Sequence, residues 1–151
     1  MTGDEVAGLL GLAPLAGEGG QWAQTWRDEH SSAIYFLLQP EDFSAFHRLS
    51  GVEVYHFYGG DPAELWLLEP HGSWRLATLG LDLRAGQRPV CVVTAGTWQA
   101  SRTTGAWTLL GTTMVPPFSE DGFELAAPGE LLARYPARAA EIAALTRTTP
   151  S

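Results

Sequence analysis

Between Gln21 and Met114 the chain is a succession of short runs rich in Trp, Tyr, Phe, Val and Ile, broken by Gly, Pro and Asp. No other feature constrains the fold as tightly. Cβ-branched and aromatic side chains fit a pleated, half-buried surface, and Gly, Pro and Asp supply the turns between such surfaces. The pattern predicts strands at Gln21–Arg27, Ala33–Leu38, Phe46–Leu49, Val52–Tyr58, Ala63–Leu68, Trp74–Leu79, Val90–Val93, Thr97–Ser101 and Trp107–Thr113. Turn chemistry marks the breaks at Gly59-Gly60-Asp61-Pro62, His71-Gly72 and Thr104-Gly105. Many short strands with no helix between them point to an antiparallel sandwich or barrel.

Helices are expected only at the ends. Residues 4–12 place Val6, Leu9 and Leu10 on one stripe, and Thr2 with Glu5 has capping-box spacing. Glu130–Tyr135 reads as a second short helix, broken by Pro136. Residues 137–146 read as a third, with Ile142 and Leu145 as its apolar contacts. The tail Thr146–Ser151 is expected to fray. With 151 residues and no linker or repeat, the expectation is one domain, residues 1–151, with its barrel core at about 20–126. The composition, 45% hydrophobic and 17% charged, excludes global disorder.

Charge narrows the partners. The formal net charge is −8, and all nine basic residues are Arg. Such a surface repels phosphate backbones, so no nucleic-acid partner is expected. No run approaches the ~18 apolar residues of a membrane span, so no membrane partner is expected. The start Met1-Thr2-Gly3-Asp4-Glu5 lacks the basic, then apolar, pattern of a secretory signal, which makes the cytoplasm the default location. Cys91 stands alone within Val90-Cys91-Val92-Val93 and reads as a small buried hydrophobe.

Candidates for chemistry are few. Of four histidines, His71 falls at a hairpin tip and His30 in a polar loop. His47 and His56 remain, flanking Glu53. Along an extended segment alternate residues share a face, so Glu53, Tyr55 and Phe57 go together while Val54, His56 and Tyr58 face the other way. Glu53 and His56 therefore cannot share one cavity without a bulge. A carboxyl beside Tyr55 and Phe57 is half-desolvated, which raises its pKa and suits proton transfer. The competing reading of Glu53 is an ion pair with Arg48 or Arg102, and that of His47 is a bond to a strand carbonyl. Arg48 and Arg102 can hold an anionic substrate or simply be solvated.

The stretch His-x-Leu-x3-Glu-x6-Gly at 47–60, followed by Ala95-Gly96-Thr97-Trp98-Gln99, resembles the two motifs of the cupin superfamily. The resemblance is closer to a small single-domain cupin family without an assigned reaction. It is carried in order by Glu18-Gly19-Gly20 with Trp22, Ser32–Leu38, Asp42–Leu49, Glu53–Pro62, Ala95–Gln99 and Phe123–Ala126. It implies an all-β double-stranded β-helix, the cupin jelly-roll barrel with a central pocket, flanked by short N- and C-terminal helices. It also implies a homodimer, and kinship in shape with deoxysugar-nucleotide epimerases of the RmlC type.

Mapped onto the three His and one Glu of a metal-binding cupin, the set here is His47, Glu53 and Gln99, with Leu49 where a second His is usual. Leu cannot ligate and a neutral amide is a poor ligand, so weak or no binding of a divalent metal is expected. Related chains carry Pro-His-Pro before Glu-Gly-Gly. Here the segment is Pro14-Leu15-Ala16-Gly17-Glu18, and Gln24 stands where an acid is common, which weakens the case for a pocket role of that arm. The candidate catalytic residues are His47 and Glu53. The candidate pocket-lining residues are Gln99, Tyr55, Tyr35, Trp98 and His56, the last only if it turns inward.

The expected function is binding of a small polar molecule in the barrel, with metal-independent epimerisation or isomerisation using His47 as base. The alternatives are a metal-dependent cupin enzyme of the oxygenase type and a non-catalytic small-molecule binder. A nearly dry aromatic pocket with His47 tied to backbone is the mark of the last. Dimerisation through a strand edge and aromatic surface is expected. All of this requires His47 and Glu53 to meet on the floor of one closed bowl.

Overall fold

A computed structural model describes residues 1–147. Helix α1 (Gly3–Leu10) comes first. It is fixed by the expected capping box: Glu5 N–H donates to Thr2 Oγ1 at 3.1 Å, and Thr2 N–H donates to Glu5 Oε2 at 2.6 Å. Eleven strands follow: β1 (Ala13–Pro14), β2 (Gln21–Arg27), β3 (Ser32–Leu38), β4 (Ser44–Leu49), β5 (Val52–Gly60), β6 (Ala63–Leu68), β7 (Trp74–Leu79), β8 (Val90–Val93), β9 (Trp98–Thr103), β10 (Thr108–Val115) and β11 (Phe123–Leu125). The chain then forms α2 (Pro128–Arg134), a single 3₁₀ turn at Pro136–Arg138, and α3 (Ala139–Ala144).

The strands form two antiparallel sheets that face each other as a jelly roll. One has the order β1-β2-β3-β10-β5-β8, the other β11-β4-β9-β6-β7. Nine strands fall where the residue pattern puts them. The two it misses, β1 and β11, are only two and three residues long, too short to show an alternation. Between the sheets lies a core of Phe36, Leu38, Tyr55, Leu65, Leu67 and Leu110, joined by Cys91 as a buried hydrophobe. Each such side chain contributes roughly 1.5–3 kcal/mol on leaving water.

The outward faces of the two sheets are treated differently. The five-stranded sheet turns Phe46, Trp66, Leu68 and Trp98 outward, and α2 and α3 cover them with Leu131, Tyr135, Ile142 and Leu145. On the six-stranded sheet α1 covers only one end, where Val6 and Ala7 pack on Leu37. Elsewhere on that face no helix lies over the sheet, and Trp26, Tyr58, Val90 and Val92 are about half exposed. No helix among the described residues is long and apolar enough to cross a membrane.

The tail expected to fray begins with two anchored residues. Thr146 Oγ1 donates to the Ile142 carbonyl at 2.6 Å. Arg147 donates to the carbonyls of Gly17 (3.1 Å), Glu18 (3.2 Å) and Phe43 (2.7 Å), pairs with Asp42 at 3.0 Å, and stacks over the Phe43 ring at 4.1 Å. Long-range partners of this kind leave no signature in a local pattern, which is why the sequence reads the segment as loose. The remainder of that tail, 148–151, lies outside the described residues.

Candidate functional site

The open end of the jelly roll encloses a cavity of about 550 Å³. Each wall is set by strand parity. On β4, Phe46 points outward beneath the C-terminal helices, so His47 and Leu49 line the cavity from the five-stranded sheet. On β5, Glu53 and Tyr55 line it from the six-stranded sheet, joined by Trp22 and Gln24 of β2, Ile34 and Phe36 of β3, and Thr112 and Met114 of β10. Phe118 and Phe123 close one side, and Leu15, Ala16 and Glu18 another.

His47 is 2% exposed and held on three sides. Its Nδ1 lies 2.8 Å from the Ala45 carbonyl, its ring stacks on Phe123 at 5.4 Å, and its Nε2 lies 3.7 Å from Glu18 Oε1. A carbonyl only accepts, so Nδ1 carries the hydrogen, and Nε2 of the neutral ring keeps its lone pair. The strand-carbonyl bond expected of a structural histidine is thus made by one nitrogen, and the other is left for chemistry.

Glu53 is 7% exposed, and its Oε1 is buried with no hydrogen-bond partner. Burial pushes its carboxyl above the ordinary value of 4.5. The nearby His47 imidazole opposes that rise, Glu18 adds to it, and the Thr112 hydroxyl and Gln99 amide oppose it more weakly. Neither candidate arginine pairs with Glu53. Arg48 is engaged with Glu124 at 2.6 Å, and Arg102 with Glu64 at 3.1 Å.

Behind Glu53, the Tyr55 hydroxyl donates to Gln99 Oε1. Burial, followed by the charges of Glu53 and Glu18, pushes the Tyr55 phenol well above its ordinary range, so it is a fixed donor. Gln99 pairs with His47 across β4 and β9, yet its carboxamide sits behind the cavity wall rather than on it. The amide oxygen that was the third candidate metal ligand is occupied by Tyr55.

Three other candidates face away from the cavity. His56 lies on the outer side of β5, 9° from parallel with the Tyr58 ring and with Nε2 3.4 Å from Thr113 Oγ1. Tyr35 lies on the same outer face, edge-on to Tyr58 at 6.2 Å. Trp98 is in the outer core under the C-terminal helices, with the Arg48 guanidinium 4.6 Å above its ring. The physical reason is common to all three: their strands alternate, and an inward neighbour (Tyr55, Phe36, Gln99) has taken the other parity. His30 and His71 are exposed, as their loop settings imply.

Glu18 has no assigned role in the sequence reading, yet it faces His47. Its Oε2 accepts from Ser44 Oγ at 2.7 Å, and its carbonyl accepts from Ala45 N–H at 2.7 Å. The loop presses so closely on Phe43 and Arg147 that no side chain fits at Gly19, where φ is +99°. An acid set between glycines immediately before a strand was the available signal. The arm that looked unfit for a pocket role also contributes Leu15 and Ala16 to the wall.

The donor set does not fit a tightly bound metal. Among the described residues no three His, Cys, Asp or Glu side chains are grouped as a metal ion requires. Leu49 has no donor atom, and His47 offers a single free nitrogen.

Comparisons with known proteins agree with this geometry. A family model described as "Cupin superfamily (DUF985)" matches residues 4–126. A protein of Shewanella oneidensis superposes with a TM-score of 0.93 at 34% identity, covering 99% of both chains. A hypothetical protein from Leishmania major gives 0.89 at 23% identity, covering 97% of this chain and 99% of its own. A cupin 2 conserved barrel domain protein from Rhodopseudomonas palustris gives 0.63 at 16%, covering 91% and 92%, and shares the fold. No curated protein matches the sequence.

Proposed function

The chain belongs to this DUF985 family of the cupin superfamily, and from that premise we propose that its cavity binds a small polar molecule and moves a proton beside a carbonyl of that molecule, as a metal-independent isomerase or epimerase. One observation carries the reading. His47 is locked through Nδ1 to the Ala45 carbonyl, so its basic Nε2 is presented to the cavity, while a carboxyl raised by burial stands on the facing sheet.

The step balances with these two groups. His47 Nε2 takes the proton from the carbon next to the carbonyl, and the electron pair moves onto the carbonyl oxygen. The protonated Glu53 returns a proton to that carbon, and the carbonyl reforms. The site then holds an imidazolium and a carboxylate, which exchange protons with water through the open mouth before the next turnover. Glu18 Oε1 stands 3.7 Å from Nε2, on the side where the proton arrives. General acid–base catalysis by one positioned group is worth about 10²–10⁴-fold.

The test is deuterium incorporation from D2O next to the carbonyl of a panel of aldoses and ketoses, followed by NMR. His47→Gln is expected to slow exchange about 10²–10⁴-fold. Exchange at an unchanged rate, or none with wild-type protein across the panel, overturns the reading. A second reading, a non-catalytic binder, is favoured by the backbone tie of His47 and the aromatic walls. It predicts binding without exchange. The metal-dependent reading has less support, because the donors are not grouped.

We also propose a homodimer through the uncovered face of the six-stranded sheet. None of the outward positions on β3, β10, β5 and β8 is Asp, Glu or Arg; Tyr58, Val90 and Val92 are exposed there, and Trp26 is exposed beside them on β2. A contiguous apolar face of this kind is unusual on a monomer. A monomer by sedimentation at micromolar concentration overturns the dimer.

A further inference from the structure

We propose that the ligand is a small hydroxylated monocarboxylate, its hydroxyl donated to Glu53 at the floor and its carboxylate held by Arg27 at the mouth. This rests on the reading of the cavity as the ligand site and adds the substrate class.

Arg27 reaches the cavity only because β2 is irregular. Trp22 and Gln24 line the wall, and simple alternation would put Trp26 next. The register shifts between Gln24 and Trp26, so Trp26 pairs with Ala33 on the outer face and Arg27 pairs with Ser32 on the inner one. A bulge that exchanges an aromatic for a guanidinium at a cavity mouth re-aims a side chain, a common use of bulges beside functional sites.

Arg27 is also unoccupied. Seven of the nine arginines bond a carboxylate or a carbonyl: Arg48, Arg75, Arg88, Arg102, Arg134, Arg138 and Arg147. Among the described residues Arg27 and Arg84 bond neither, and of these two only Arg27 lines the cavity. A guanidinium offers a carboxylate two parallel N–H donors.

The other end of the cavity has a matching vacancy for a donor. Glu53 lines the cavity, and its Oε1 is buried there without a partner. A buried acceptor left unpaired costs about 1–3 kcal/mol, which a ligand hydroxyl relieves. Arg27, Ser32, Met114 and Glu53 stand in register across β2, β3, β10 and β5, and the rest of the wall is largely apolar, with Trp22, Phe36 and Phe123 for a short carbon skeleton.

Charge sets the upper limit. Arg27 is the one arginine on the lining, and Glu18 and Glu120 also face the space. A single negative charge is matched by Arg27, and a second meets the two carboxylates. The cavity is therefore built for a carboxylate rather than a phosphate or diphosphate.

The experiment is calorimetric titration with gluconate, glucose and glucose 1-phosphate at one salt concentration. Wild-type protein is expected to bind gluconate at least about tenfold more tightly than either of the others, the size of one hydrogen bond to a charged group. Arg27→Leu, at an exposed side chain with no internal partner, is expected to fold normally and lose that preference, and Arg27→Lys to keep part of it. Equal binding of glucose, tighter binding of the phosphate, a preference that survives Arg27→Leu, or no binding of gluconate each overturns the proposal. Arg27-dependent gluconate binding without proton exchange on the carbonyl panel defeats the enzymatic reading and leaves this one standing. Exchange that is indifferent to Arg27→Leu does the reverse.

Discussion

The two faces of the six-stranded sheet are made from the same strands and have opposite chemistry. On β5 the inward residues are Glu53, Tyr55 and Phe57, and the outward ones are Val54, His56 and Tyr58. The inner face carries the buried Glu53 and Tyr55 among aromatic rings, and His47 faces them from the five-stranded sheet. The outer face carries no carboxylate or arginine on four consecutive strands, and most of it has no helix over it. A period of two allows a single strand to serve a cavity and an interface at once, because neither set of side chains can reach the other side. The five-stranded sheet divides its labour differently. Its outward aromatics are already buried under α2 and α3, so only its inner face is left for function.

That contrast can be broken at adjacent positions. Phe36→Ala, on the inner face at 2% exposure, is expected to lower unfolding stability by about 3–5 kcal/mol. Urea denaturation should show this loss at every protein concentration, because the cavity it opens is internal. Val92→Asp, on the outer face, should leave the subunit folded. In a symmetric pair it buries an unpaired carboxylate on each side of the interface, at a cost of several kcal/mol to association. Sedimentation should then show a monomer with native circular dichroism. A loss of monomer stability like that of Phe36→Ala would erase the distinction between the faces.

The smallest effect sharpens the picture of the inner face. Because the folded carboxyl of Glu53 is raised above 4.5, its neutral form is the one the fold accepts. Stability from this group is fully present below the ordinary carboxylate value and falls as pH rises through the folded one. Glu53→Gln keeps the shape and cannot ionise. Relative to wild type, its stability is therefore expected to improve steadily as pH rises above 4.5, measured as the difference in unfolding free energy. A constant difference between pH 4 and pH 8 would show that Glu53 is not desolvated.

Much of this was legible in the residues, for reasons that are local. Strand positions follow from alternation and turn chemistry. So does the sorting of Glu53 with Tyr55 and away from His56, which the structure reproduces on β5. Gln99 does look inward and is taken up by Tyr55, whereas Tyr35 and Trp98 face outward, because parity tells which residues share a face, not which face looks inward. That choice is made by what the other sheet and the helices cover. Glu18 was legible only as part of a family pattern, since its importance comes from Ser44, Ala45 and His47, all more than twenty residues away.

Residue type and short spacing were enough for the all-β architecture and the terminal helices, and they singled out one imidazole and one acid as the candidate chemistry. A linear chain carries both intact. Packing of the sheets settles which nitrogen of His47 is tied to backbone, leaves Glu53 Oε1 without a partner, and sends Arg27 rather than Trp26 into the cavity through a bulge. Each of those depends on contacts between strands far apart in the chain. Burial and register are properties of the packed sheets, and no short stretch of residues contains them.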